Sequence, residues 1–213
     1  MRTILANLIR MKKATGMKYN PIGSLVDREI SIIMKFPSCV YIDLTHALHG
    51  SGGIARYHIN GLVYKIIRCS QITVEDIDKF AASVTVCGSS TQLPKTFFQD
   101  RVQEKPDADI KSFAAETMTA LRVFGLFLEL VVTSMGLLPA EVAAFQLLIY
   151  LSDEIVVCTN PRKALELCRA HHEAFMQFYK GCAKPKLHYV FEAIMAWLRF
   201  SVLFMILFCR AAT

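Results

Sequence analysis

The chain has 213 residues, of which 54% are hydrophobic and 20% charged, with a net charge of +6. That is enough apolar material to bury a real core, and too much for a disordered chain. The densest basic spots, Arg10 to Lys13 and Lys184 to Lys186, fall short of a nucleic-acid run of about five to eight residues, so the charge permits a polyanionic partner without requiring one.

Residues 2–14 carry Ile4, Leu5, Leu8, Ile9 and Met11 at helical spacing, and Gly16 suits the cap that ends such a helix. Asn20-Pro21-Ile22-Gly23 reads as a turn, because Pro presets φ and Gly tolerates positive φ. No signal peptide is expected at this end, since Asn7 and Arg10 break the apolar run. Residues 36–42 end in Val40-Tyr41-Ile42 and predict a strand that delivers Asp43 to its tip.

The segment from Tyr41 to Gly61 is the one around which the rest is organised. It holds three of the six histidines and four of the ten glycines. In Asp43-Leu44-Thr45-His46 a carboxylate and an imidazole lie three residues apart, so one helical turn can point both the same way. Such a pair can bind a divalent metal or orient a general base. The plainer reading is an Asp N-cap followed by a satisfied histidine. Gly50-Ser51-Gly52-Gly53 lacks the Lys-Ser/Thr of a phosphate loop and the spacing of a dinucleotide fold, so a flexible turn or a close helix crossing is expected there.

Beyond it the apolar positions Ile54, Tyr57, Leu62 and Ile66 predict a helix over 54–67. Thr73-Val74-Glu75-Asp76 resembles a capping box, with Asp in place of Glu, opening a helix through Ala82. Residues 84–94 read as a loop. A long helix from Asp107 to about Met135 is expected to bury Phe113, Met118, Leu121, Phe124, Leu128 and Val131, with Gly136 closing it. Pro139 suits the first turn of a helix to about Val157, and Asn160-Pro161 caps another to Tyr179, with Gly181 after it. On that helix His171-His172-Glu173 reads as a solvated polar face, because adjacent histidines point about 100° apart and cannot share a metal.

Lys184-Pro185-Lys186 is a rigid basic turn, read either as a solvated connection or as a contact from Lys184 and Lys186 to a nucleic-acid backbone. Residues 190–209 are the most apolar stretch, yet they include Glu192 and Arg199, and a membrane span needs about 20 predominantly apolar residues. A buried terminal helix is expected, with a membrane anchor as the alternative. The seven cysteines form no C-x-x-C pair, which points to reduced, buried thiols in an intracellular protein. The fold class is mainly α: a helical bundle with a small α/β remnant near residues 36–46. Three regions are expected, 1–70 with the remnant, 71–189 helical, and the apolar tail 190–213.

Several pieces, in order, carry a family likeness: MKYNPIGSL from Met17, YIDLTH from Tyr41, SGGIARY from Ser51, LPKTFFQDR from Leu93, MGLLP from Met135, His171-His172-Glu173, and AKPKLHY from Ala183. Together they resemble transposase-derived proteins related to the CACTA (EnSpm-type) transposases, as expanded in protist genomes. The resemblance implies an RNase H-like core interrupted by helices, a nuclear location, and two-metal phosphoryl transfer on DNA with Mg²⁺ held by carboxylates. Asp43 and His46 then match the family's catalytic element, with Asp43 as a metal ligand. The departures are specific: Leu44-Thr45 stands where the family usually carries Trp-Met, and no earlier catalytic acid precedes Asp43. After His188 the sequence turns into an apolar tail. An inactive fragment with residual DNA affinity is expected. The alternatives are a metal-dependent nuclease centred on Asp43 and a small membrane-associated protein anchored by residues 190–209.

Overall fold

A computed structural model describes residues 44–85, 91–157, 160–178 and 189–195. The expected helix over 2–14, the strand over 36–42, Asp43, Lys184, Lys186 and the tail beyond residue 195 lie outside the described residues. Within them the chain is helical, with no strand. The α/β remnant expected near 36–46 therefore finds no support: residues 44–46 already belong to a helix, α1 (Leu44–His49).

The turn Gly50-Ser51-Gly52-Gly53 separates α1 from α2 (Ile54–Cys69). The Gly50 amide donates to the His46 carbonyl at 3.0 Å, the Gly53 amide to the Gly50 carbonyl at 2.7 Å, and Gly52 has φ +68°. A Cβ at Gly53 would lie 2.5 Å from the Leu48 carbonyl oxygen, a backbone atom that cannot swing aside. A turn is present there, as expected. Gly53→Ala should therefore destabilise the fold by about 1–3 kcal/mol, the usual cost of overpacking, as read from chemical denaturation. An unchanged midpoint would mean that α1 is not held against the start of α2.

α2 is buried almost all round. Ile54, Ala55, Ile59, Leu62, Val63 and Ile66 face the core, and Arg56, His58 and Asn60 are buried as well. A helix with polar groups on its inward side must place each against a partner, and in this chain those partners lie far along the sequence. Ser70 stops α2, its hydroxyl donating to the Ile66 carbonyl at 2.7 Å.

The capping box opens α3 (Val74–Ser83) as expected: the Asp76 amide donates to Thr73 Oγ1 at 3.3 Å and the Thr73 amide to Asp76 Oδ2 at 3.0 Å. These bonds hold the Asp76 carboxyl below its usual range. A short helix not foreseen from the sequence, α4 (Phe97–Arg101), comes after the loop. Its Phe98 and Gln99 amides donate to the buried Asp78 carboxylate of α3 at 2.8 and 3.0 Å. The carboxylate answers orphan donors of the first turn.

α5 spans Ala114–Phe127, beginning seven residues later than Asp107. The correction has a cause in Arg56, which bonds the Ile110 carbonyl through Nε and pairs with Asp109 at 3.3 Å. The Ile110 amide in turn reaches the Arg56 carbonyl at 3.4 Å, so residues 109–110 are held non-helical against α2. Phe113, expected in the core, sits at the start of α5 and is 75% exposed. Leu128–Val132 continues as a π-helical turn, in which the Thr133 amide reaches the Leu128 carbonyl at 2.8 Å. Gly136 (φ +68°) ends the run, and Leu138 holds φ 49° before α6.

α6 (Pro139–Val157) and α7 (Pro161–Phe178) form an antiparallel hairpin. Asn160 caps α7 as expected, its Oδ1 accepting from the Arg162 and Lys163 amides, both at 3.1 Å. Glu154 of α6 accepts from the Asn160 amide at 3.0 Å and pairs with Lys163 at 2.9 Å, closing the hairpin. Residues 189–195 are helical (α8); Val190 and Ile194 are buried in the common core, so the start of the apolar tail serves as core. No helix among the described residues is long and apolar enough to cross a membrane.

Through this core runs a chain of rings. Phe97 meets Phe98 at 5.2 Å between centroids, Phe98 meets Phe124 at 5.6 Å, Phe124 meets Phe145 at 5.3 Å, and Phe145 meets His58 at 5.0 Å. All of them are fully buried. Three of these contacts are edge-on and the Phe98–Phe124 contact is tilted, geometries that add to area burial.

Candidate functional site

The polar groups of α1 and α2 make three buried contacts with distant parts of the chain. His49 Nε2 lies 3.0 Å from Ser152 Oγ on α6. Arg56 holds the 109–110 segment through the Ile110 carbonyl and Asp109. His58 Nδ1 lies 3.2 Å from His171 Nε2 on α7. Both rings of the last pair are fully buried, with Phe145 and Phe175 packed edge-on against His58.

Burial governs the charge of these rings. Desolvation pushes His49 down to about 4, with the Arg122 charge adding to it and the Thr45 carbonyl opposing. His171 is lowered to about 3 by burial and then by neighbouring His172. His58 is lowered well below its ordinary value by burial, by His171 and by Lys65. All three imidazoles are neutral at pH 7, and the pair shares one N–H between two ring nitrogens.

His171 corrects the expected solvated face. His172 and Glu173 are exposed, but His171 is 0% exposed and lies in register with Ala164, Cys168 and Phe175. The turn of about 100° between neighbours, which separates the two histidines, is what buries one of them. The signal was readable in that apolar stripe, although its partner, 113 residues away, was not.

His46 lies exposed on α1. Among the described residues no group of three or more His, Cys, Asp and Glu side chains is arranged to hold a metal. Two-metal chemistry requires several carboxylates around its ions, and the described residues do not form such a set. Cys168 is free and buried, with its thiol pushed up to about 11 by desolvation. Cys69, expected to be buried, is free and exposed.

The chain matches no known family, no characterised protein and no solved structure.

One open cleft lies between α5 and α6. It measures about 370 Å³ and is lined by Arg122, Leu126, Glu129, Gln146, Tyr150 and Asp153. Arg122 pairs with Asp153 across it at 3.2 Å. Gly125 and Ile149, which also line it, approach closely: a Cβ on Gly125 would lie 2.3 Å from Ile149 Cδ1.

Charge divides unevenly along the sequence. The described residues contain 12 Lys and Arg against 15 Asp and Glu, a net of −3, whereas the whole chain carries +6. The excess cation therefore resides in the flanking and connecting segments. Within the helical body several basic groups are already paired, Arg56 with Asp109, Lys65 with Glu141 and Arg122 with Asp153.

Proposed function

We propose that this chain is a helical piece of a transposase-like protein, without nuclease activity of its own, that contacts DNA through basic segments flanking its helical body. The observation that supports this reading is the partition of charge. A net-negative body repels phosphate, while Lys184 and Lys186 lie among the segments that hold the positive excess. Were the nuclease alternative correct, Mg²⁺ would belong with Asp43.

Binding of the full chain to a fluorescent DNA duplex, titrated at several salt concentrations, tests the proposal. Affinity should fall steeply with salt, and Lys184→Glu with Lys186→Glu should flatten the slope of log K against log salt by about 2. Absence of binding at low salt, or a slope that ignores both substitutions, overturns it. Mg²⁺-dependent cleavage that disappears in Asp43→Asn would instead support the nuclease.

A further inference from the structure

The α6–α7 hairpin meets the α1–α2 segment through two buried histidine contacts, His49 with Ser152 and His58 with His171. We infer that these two contacts form a proton-sensitive latch: acidification releases the α6–α7 hairpin from α1 and α2 before the rest of the helical body unfolds.

The geometry allows one proton arrangement and resists the others. At 3.2 Å the two ring nitrogens of His58 and His171 accommodate one N–H donating to one lone pair. A second proton on the contact would set N–H against N–H. A single added charge would sit in a pocket walled by Phe145 of α6 and Phe175 of α7, where desolvation is costly. Lys65 of α2 and His172 of α7 are basic, and Glu141, which α6 contributes nearby, pairs with Lys65. His49 likewise faces a cation, Arg122 of α5, whose own partner is Asp153 of α6. His171 Nδ1 is buried with no hydrogen-bond partner, so no acceptor waits for a proton there.

Release is directed at the hairpin because its internal ties involve no histidine. Glu154 binds the Asn160 amide and Lys163 within the hairpin, and the Asp78 and Arg56 contacts lie wholly outside it. The connection into α6 is the turn holding Gly136 and Leu138 at positive φ, and at Leu138, which carries a Cβ, the backbone is strained and can relax.

The sign comes from the direction of the shifts. Above about pH 6.5 the rings are neutral whether docked or released, so docking does not respond to pH. Below it the released rings take up protons and the docked ones do not. Each histidine then shifts the opening equilibrium by about tenfold per pH unit, and three together by up to about a thousandfold. Carboxylates ordinarily titrate lower, near 4, which leaves a window from about 6.5 to 5 in which histidines dominate.

Hydrogen exchange of the full chain, resolved by peptide and corrected for intrinsic rates from pH 7.5 to 4.5, tests the latch. Peptides from 139–157 and 160–178 should lose protection across that window while peptides from α2 and α5 keep theirs. His49→Gln with His171→Gln retains one hydrogen bond at each contact but leaves only His58 to titrate. The response should then shrink towards about tenfold per pH unit. Simultaneous loss in every helix, or full protection down to pH 5, overturns the inference from the wild-type chain alone. So does an unaltered response in the doubly substituted chain.

Discussion

Phe145→Ala should lower the thermal midpoint by roughly 6–20 °C, the result of losing about 3–5 kcal/mol in a chain of this size. Phe145 is 0% exposed and sits where three helices converge. Its ring meets Phe124 of α5 at 5.3 Å and His58 of α2 at 5.0 Å, both nearly edge-on. Alanine removes apolar area and leaves a void bordered by rigid rings, which cannot collapse into it as a flexible side chain could. Phe113→Ala is the matched comparison. That ring is 75% exposed, so its removal should change stability by less than about 0.5 kcal/mol. Thermal melts followed by circular dichroism would separate the two. Similar shifts for both would contradict the ring chain as the centre of the core.

The second large effect is expected at Arg56. Arg56→Met keeps much of the aliphatic stem and removes the guanidinium, so the loss falls on polar contacts rather than packing. Asp109, whose side chain is only 28% exposed, then keeps the Gly52 amide but loses its cation, and the Ile110 carbonyl loses its Nε donor. Breaking one side of a buried pair costs about 3–5 kcal/mol, and partial exposure of Asp109 puts the expected value nearer 2–4 kcal/mol. Urea denaturation should show this drop. A cycle with Asp109→Asn should return a coupling of about 1–3 kcal/mol. Additive single and double variants would mean that the guanidinium is held by the Ile110 carbonyl alone.

Much of the helical framework could be read from local rules. Thr73 and Asp76, Pro139, and Asn160-Pro161 each mark a helix start by satisfying or avoiding the unpaired amides of a first turn, and each lies at a helix start in the structure. What escaped the sequence depends on partners far along the chain. The delayed start of α5 stems from Arg56, 54 residues before Ile110. α4 has only five residues, too few to display a period, and its first amides are answered by Asp78, 20 residues earlier than Phe98. For the site, the segment from Tyr41 to Gly61 was legible as unusual from its histidines and glycines. His49, Arg56 and His58 are buried and face inward to Ser152, Asp109 and His171, while His46 is exposed. A pattern of residue types shows that a segment is special without showing which way its side chains turn.

The π-helical turn at Leu128–Val132 has a consequence for how the chain can change in length. Such a turn houses one residue more than an α-helix would at the same rise. The surplus is absorbed locally, so Phe124 and Phe127 before it and Val132 at its end all still face the core. Exposed Leu130 lies inside the turn, and a chain one residue shorter there would revert to ordinary α-helix with both flanks in register. Elsewhere in α5 or α6 the same shortening would rotate every later side chain by about 100° and turn the buried stripe outwards. Insertions and deletions among any descendants of this sequence should therefore be tolerated at this turn and in the loops, and nowhere else along the α5–α6 arm.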